Sequence, residues 1–108
     1  MATTVSSGTQ TATLNTDHTL YTTAALKTCV LSVDLGNLAS GDTVEIRISG
    51  PVLSGGTGRI ITTNVYSGTQ SDPGFQSPAL ILQTGSTFII RQTTGGGRAF
   101  PWRVDTLD

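Results

Sequence analysis

GDTVEIRISG, residues 41 to 50, places Val44, Ile46 and Ile48 at one parity and Thr43, Glu45, Arg47 and Ser49 at the other. Side chains on a strand point alternately to its two faces, so this spacing predicts a half-buried β-strand with one wet side. Gly41-Asp42 and Gly50-Pro51 bracket it with turn residues. A strand with one apolar face needs cover, and the flanking segments read as strands that can supply it.

Working outward, Thr28 to Leu35 carries Cys29, Leu31, Val33 and Leu35 on one face, with Val30 interrupting the polar pattern on the other. A turn over Gly36 to Asp42 follows, with Leu38 expected to tuck under the end of the sheet. After the central strand, Gly50 to Gly58 is dense in glycine. Its SGGTG run lacks the lysine of a phosphate-binding loop and opens no helix, so a phosphate cradle is rejected. Gly58 to Tyr66 is a β-branched strand, with Ile61 and Val65 on one parity and Ile60 and Tyr66 on the other. In Ser67 to Pro78, Asp72-Pro73-Gly74 predicts a turn with proline at the first corner and glycine at positive φ at the second. Phe75 in this polar loop is either an anchor folded onto the core or an exposed contact.

Ala79 to Gln83 and Ser86 to Thr93 read as two strands of a hairpin about Thr84-Gly85. The tail alternates Phe100, Trp102 and Val104 against Pro101, Arg103 and Asp105. Pro101 cannot donate to a ladder, which predicts an edge strand or a bulge there, with Phe100 and Trp102 in the core or at a subunit contact. Residues 1–16 are dominated by Thr, Ser and Ala with few aliphatics, and predict an extended arm: loose, an edge strand, or a strand added to a neighbouring subunit or partner. On that view, deleting residues 2–14 leaves folding intact and weakens attachment to a partner. No 3.6-residue apolar stripe occurs. The expectation is an all-β single domain over residues 17–108, an antiparallel β-sandwich or jelly roll of seven to eight short strands.

Composition agrees. Only 12% of the 108 residues are charged and the net charge is −1, against about 25% charged in ordinary soluble domains. Twenty threonines and ten serines carry the polar surface instead, and threonine suits a pleated sheet. A chain of this length buries about 65% of its unfolded surface, enough to fold without disulfides or metal. The single cysteine, Cys29, reads as a small buried hydrophobe rather than a reactive thiol. Lys27, Arg47, Arg59, Arg91, Arg98 and Arg103 are scattered, which argues against nucleic acid as a partner. Neither a signal-peptide pattern nor an apolar run of about 18 residues is present, so no membrane partner is expected and synthesis is expected in a cytoplasm.

Catalytic chemistry is not suggested. His18 is the only histidine, without a second ligand or a nucleophile in its context. Asp34, Asp42, Glu45, Asp72 and Asp105 stand in turns or on strand exteriors, where carboxylates are ordinarily solvated. No cofactor and no enzymatic activity are expected.

Four stretches carry a resemblance: GGGRAFPW at Gly95 to Trp102, LSGGTGR at Leu53 to Arg59, GDTVEIRI at Gly41 to Ile48 and TQTATLNTDHTL at Thr9 to Leu20. Together they resemble the small β-rich virion structural proteins of tailed bacteriophages, of the capsid decoration or cement type. The resemblance implies a protein of the capsid exterior that binds the phage major capsid protein and braces the shell, as a homo-oligomer, commonly a trimer. Partner contacts would then involve Thr3, Thr4, Val5, Thr9 and Thr11 of the arm together with Phe75, Arg98 and Trp102. Two other readings stay open: a head-tail connector or tail subunit, and a carbohydrate-binding module using Tyr66, Phe75 and Trp102.

Overall fold

In the computed structural model, which describes residues 2–107, the central stretch is strand β4 (Thr43–Pro51), and its burial alternates residue by residue. Val44, Ile46 and Ile48 are sealed from solvent, as the period-2 pattern requires. Eight further strands accompany it: β1 (Thr3–Thr11), β2 (His18–Thr22), β3 (Lys27–Asp34), β5 (Gly58–Ser67), β6 (Gly74–Gln76), β7 (Leu80–Leu82), β8 (Thr87–Thr94) and β9 (Ala99–Thr106).

These strands form two antiparallel sheets. One has the order β1-β9-β3-β6, with β7 also on β3, and the other β2-β8-β4-β5. β6 pairs with Ser32–Asp34 and β7 with Lys27–Cys29. Between them Ser77 stitches the gap, its N–H donating to Leu31 O at 2.8 Å and its Oγ accepting from Leu31 N at 2.9 Å. β6 and β7 thus occupy one edge of β3, and nine strands fill eight positions, four per sheet. The pairing is nested: β1 with β9, β2 with β8, β3 with β6 and β7, β4 with β5. The chain is one long hairpin folded at the β4–β5 turn and rolled until β9 meets β3 and β8 meets β4. That is jelly-roll topology.

The core lies between the sheets. Cys29, Leu31, Val33 and Leu35 from one side meet Val44, Ile46, Ile48, Phe88 and Ile90 from the other, with Phe100, Val104 and Leu38 completing it. Each such side chain contributes about 1.5–3 kcal/mol by leaving water. Cys29 is fully buried and makes no disulfide.

Four expectations change. Residues 3–11, placed in the arm and outside the sandwich domain, take the edge-strand alternative within the sandwich itself, register-paired with β9 from Thr3↔Thr106 to Thr11↔Ala99. Their scarcity of aliphatics does not prevent this, because the ladder is made by main-chain groups. β7 and β8 are not a hairpin: the Gln83–Ser86 connection, turned by Gly85 at φ +87°, crosses from one sheet to the other. β9 is not an edge strand. Its β3 ladder ends at Trp102↔Val33 while Thr9 still opposes Pro101, so the proline has a free side for its missing donor. Gly74 does not adopt positive φ but opens β6 opposite Asp34, and Gly68 makes the left-handed bend instead.

Candidate functional site: an apolar end and a free sheet edge

The nested topology sends the connections to two opposite ends. At one end lie the β1–β2, β3–β4, β5–β6 and β8–β9 connections; at the other, β2–β3, β4–β5 and β7–β8, together with the start of β1 and the close of β9. The two ends differ chemically.

The first end is polar and internally committed. Asp42 is buried, yet Arg98 Nε donates to its Oδ2 at 2.7 Å, Ala39 N at 2.9 Å and Gly96 N to Oδ1 at 3.2 Å. The Arg98 hydrogen bond, then that from Ala39, holds the Asp42 carboxyl below its ordinary pKa. Gln92, fully buried at an inward position of β8, donates to Thr94 O at 2.9 Å and Gly96 O at 2.7 Å. Its Oε1 accepts from Arg98 N at 3.0 Å. These bonds pin the Gly95–Gly97 turn, where Gly95 sits at φ +92°. Nearby, Asp17 accepts from Arg47 Nη2 at 2.5 Å and Arg91 Nη1 at 3.1 Å. The Arg91 bond, followed by the Arg47 charge, lowers its pKa.

The second end is tied beneath its surface by the buried Thr23–Gln83–Ser86 hydrogen bonds, but its exposed side chains are largely aliphatic. Leu26, Val52, Leu53, Ile60, Ile81 and Leu107 are all exposed there, Leu53 at 74% and Ile81 at 76%. Isolated exposed aliphatics are ordinary, but this many gathered toward one end of a domain, with Ile60 and Ile81 on the outer faces of the two sheets, make that end the candidate interaction surface. Lys27 and Arg59 flank it, and neither takes part in a salt bridge among the described residues.

Along one side runs β5, the outermost strand of its sheet. Its inward residues, Thr62, Asn64 and Tyr66, are half-buried, while Ile60, Ile61 and Val65 are exposed. The facing strand β6 has only three residues, too short to cover a ten-residue neighbour.

The residues expected to contact a partner do not converge. Thr3, Thr4, Val5, Thr9 and Thr11 lie along the exposed β1 edge, where Thr4 Oγ1 donates to Asp105 Oδ1 at 2.5 Å. That bond and Arg103 lower the Asp105 pKa. Arg98 is engaged at the polar end. Phe75 is half-buried on β6, edge-on to Tyr66 at 5.8 Å, which is the core-anchor alternative. Trp102 is half-buried and packs against the core beside Gly8. Tyr66, Phe75 and Trp102 therefore form no exposed stacking platform.

Two concavities border this region. One of about 420 Å³ lies over Ser32–Asp34, Gly74–Gln76 and Pro101–Arg103, with Ser32 Oγ buried and unpartnered at its floor. The other, about 360 Å³, opens between β5 and β6 and is lined by Asn64, Tyr66, Asp72 and Phe75. Among the described residues no cluster of His, Cys, Asp or Glu is arranged to hold a metal, and no helix is long and apolar enough to cross a membrane. His18 is engaged at the β1–β2 corner by Thr13 N at 3.0 Å and Gln10 Nε2 at 3.2 Å.

Sequence reasoning missed the apolar end. Its residues come from five separate segments, the β2–β3 and β4–β5 connections, β5, β7 and the residue after β9, and only the topology gathers them. Comparison with protein-family models, with curated proteins and with solved structures finds no match.

Proposed function

We propose that this protein is a non-enzymatic decoration or cement protein of a phage capsid, one that seats on the outer surface of the major capsid shell and stabilises it. The observation that carries the reading is the division between its two ends. Buried Asp42 and Gln92, bonded to the part-exposed Arg98, make the polar end a rigid cap, and the aliphatic end is left to be covered. A domain built this way binds in one orientation, through an apolar core of contacts with a polar rim.

The low surface charge fits attachment without large desolvation costs at unpaired ions. Many equivalent sites on a shell would let each contact be modest, with avidity from oligomerisation. The jelly roll adds analogy only, since the architecture is shared by viral and non-viral binding proteins. The resemblance of the four sequence stretches supplies the phage context and the trimeric arrangement.

Cryo-electron microscopy of the particles that carry the protein tests this directly. The expected result is density at capsomer junctions over the whole shell, with the Leu53 end turned toward the capsid. Density confined to one vertex would make the protein a connector or tail part, and absence from particles would overturn a virion role.

A further inference from the structure

We infer that the free edge of β5 is an interface for a second copy of this chain, joined β5 to β5 in antiparallel fashion about a two-fold axis, so that two four-stranded sheets become one of eight. Three observations lead here.

The first is the unsatisfied edge. β5 pairs only with β4, so its other side presents a row of N–H and C=O groups over Gly58–Ser67. Such an edge is a template for another strand. Of the remaining edges, β2, β6 and β7 are short, and β1, with Val5 as its one aliphatic residue, offers a partner little apolar surface. β1 is bulged between Thr4 and Ser6, β2 is five residues long and bulged between Thr19 and Tyr21, and β6 and β7 are broken at Ser77. β5 is the longest strand, and its one irregularity, opposite Ile48/Ser49, leaves Thr62–Ser67 regular. No lysine and no proline guards it, and its outward side chains include the exposed Ile60 and Val65.

The second observation selects the occupant by charge. Arg59 is register-paired with Gly50, an inward position of β4, so its side chain lies on the inward side of β5. Asp72 lines the concavity on that same inward side, beyond the opposite end of the strand, with Asn64 and Tyr66. Neither Arg59 nor Asp72 forms a salt bridge among the described residues. An antiparallel two-fold brings Arg59 of one copy to the Ser67–Asp72 segment of the other, and the symmetry repeats the pairing. A parallel arrangement would set like charge beside like.

The third is closure. An isologous contact uses the same edge on both copies and leaves no β5 edge free. The eight-stranded sheet would end in β2 on either side, the short bulged strand, so growth stops at two. This contact is distinct from a three-fold arrangement, and one molecule can carry both.

The experiment is analytical ultracentrifugation of the full chain across a concentration series, with circular dichroism to confirm that each variant is folded. Thr63 and Val65 are exposed, so Thr63→Lys with Val65→Lys leaves the core untouched while placing charge on the junction. The expected result is a reversible dimer whose dissociation constant rises by at least about tenfold in the double-lysine variant. Arg59→Asp and Asp72→Arg should each weaken the dimer about 3- to 10-fold, and together restore it. A wild type that sediments only as a monomer or a trimer overturns the inference. So does a dimer indifferent to the lysines, or charge reversals that fail to rescue one another.

Discussion

Gln92→Met is the substitution whose effect the structure specifies most closely. Gln92 occupies the next inward position after Phe88 and Ile90 on β8, yet carries an amide where the alternation calls for a hydrocarbon. Methionine has similar length and volume, so the packing change itself should cost under about 1.5 kcal/mol. What it removes is three hydrogen bonds, to Thr94 O, Gly96 O and Arg98 N. At about 1 kcal/mol net each, the loss is roughly 3 kcal/mol. Thr94 and Gly96 are exposed and water can replace part of what their carbonyls lose, so about 2–3 kcal/mol is expected. For a domain of this size that lowers Tm by about 8–15 °C. Urea titration at 25 °C followed by circular dichroism reads the free energy, and a thermal scan reads Tm. Gln70→Met is the control: it removes bonds to Ser67 O at 3.0 Å and Gly68 O at 3.1 Å on an exposed loop, and should cost under about 0.5 kcal/mol. Equal losses at the two sites, or a Gln92→Met loss below about 0.5 kcal/mol, would refute the assignment of Gln92 as the pin of the β8–β9 turn.

Other outcomes follow from the same geometry. Asp17, Asp42 and Asp105 all have folded-state pKa values below the ordinary carboxylate value; their stabilisation is therefore complete above the unfolded pKa and lost as pH falls through the folded one. Tm should be flat near neutrality and decline below about pH 4, with a shallower decline in Asp42→Asn; a decline that begins near pH 6 would contradict this. Gly50→Ala should destabilise by about 1–3 kcal/mol in a urea titration, because the added methyl would stand 2.7 Å from Ser86 Cβ and 2.8 Å from its Cα. Removal of residues 2–14 should lower Tm by more than about 10 °C and red-shift Trp102 fluorescence, since it strips a strand paired along β9 and the buried Ala12; unchanged melting would show β1 to be dispensable.

The inner faces of β3, β4 and β8 were legible from alternation alone, because each is covered by the opposite sheet along its length. β5 was legible as a strand but not in its burial. Its aliphatic residues Ile60 and Val65 oppose the outward Ser49 and Glu45 of β4 and so face solvent, while the inward positions carry Thr62, Asn64 and Tyr66. The β7–β8 connection misleads for a related reason: a glycine turn between two strands signals local pairing, whereas this one passes between layers. β1 was legible only as one alternative, an edge strand, because its cohesion is main-chain hydrogen bonding, which leaves little trace in side-chain composition. Gln92 gave no signal, since a glutamine within a strand reads as solvent-facing until its parity with Phe88 and Ile90 is weighed. Phe75 as a core anchor and Leu38 beneath the sheet end were both within reach of sequence reasoning.

The nested pairing also sets a timetable for synthesis. β9 begins 88 residues after β1 ends (99 minus 11), yet the two lie side by side. At roughly 5–20 residues per second, the first strand would leave the ribosome about 4–18 s before its partner exists. Until then β3 lacks β9 as well, and the central strand β4 lacks β8. The β4–β5 hairpin, and then the β3 pairings with β6 and β7, can close before that, but consolidation must follow the making of the last strand, with the many non-local contacts slowing it further. A nascent chain of this kind stays open to chaperones for nearly the whole of its translation, and its yield in a cell should respond to their supply more than to small changes in the stability of the finished fold.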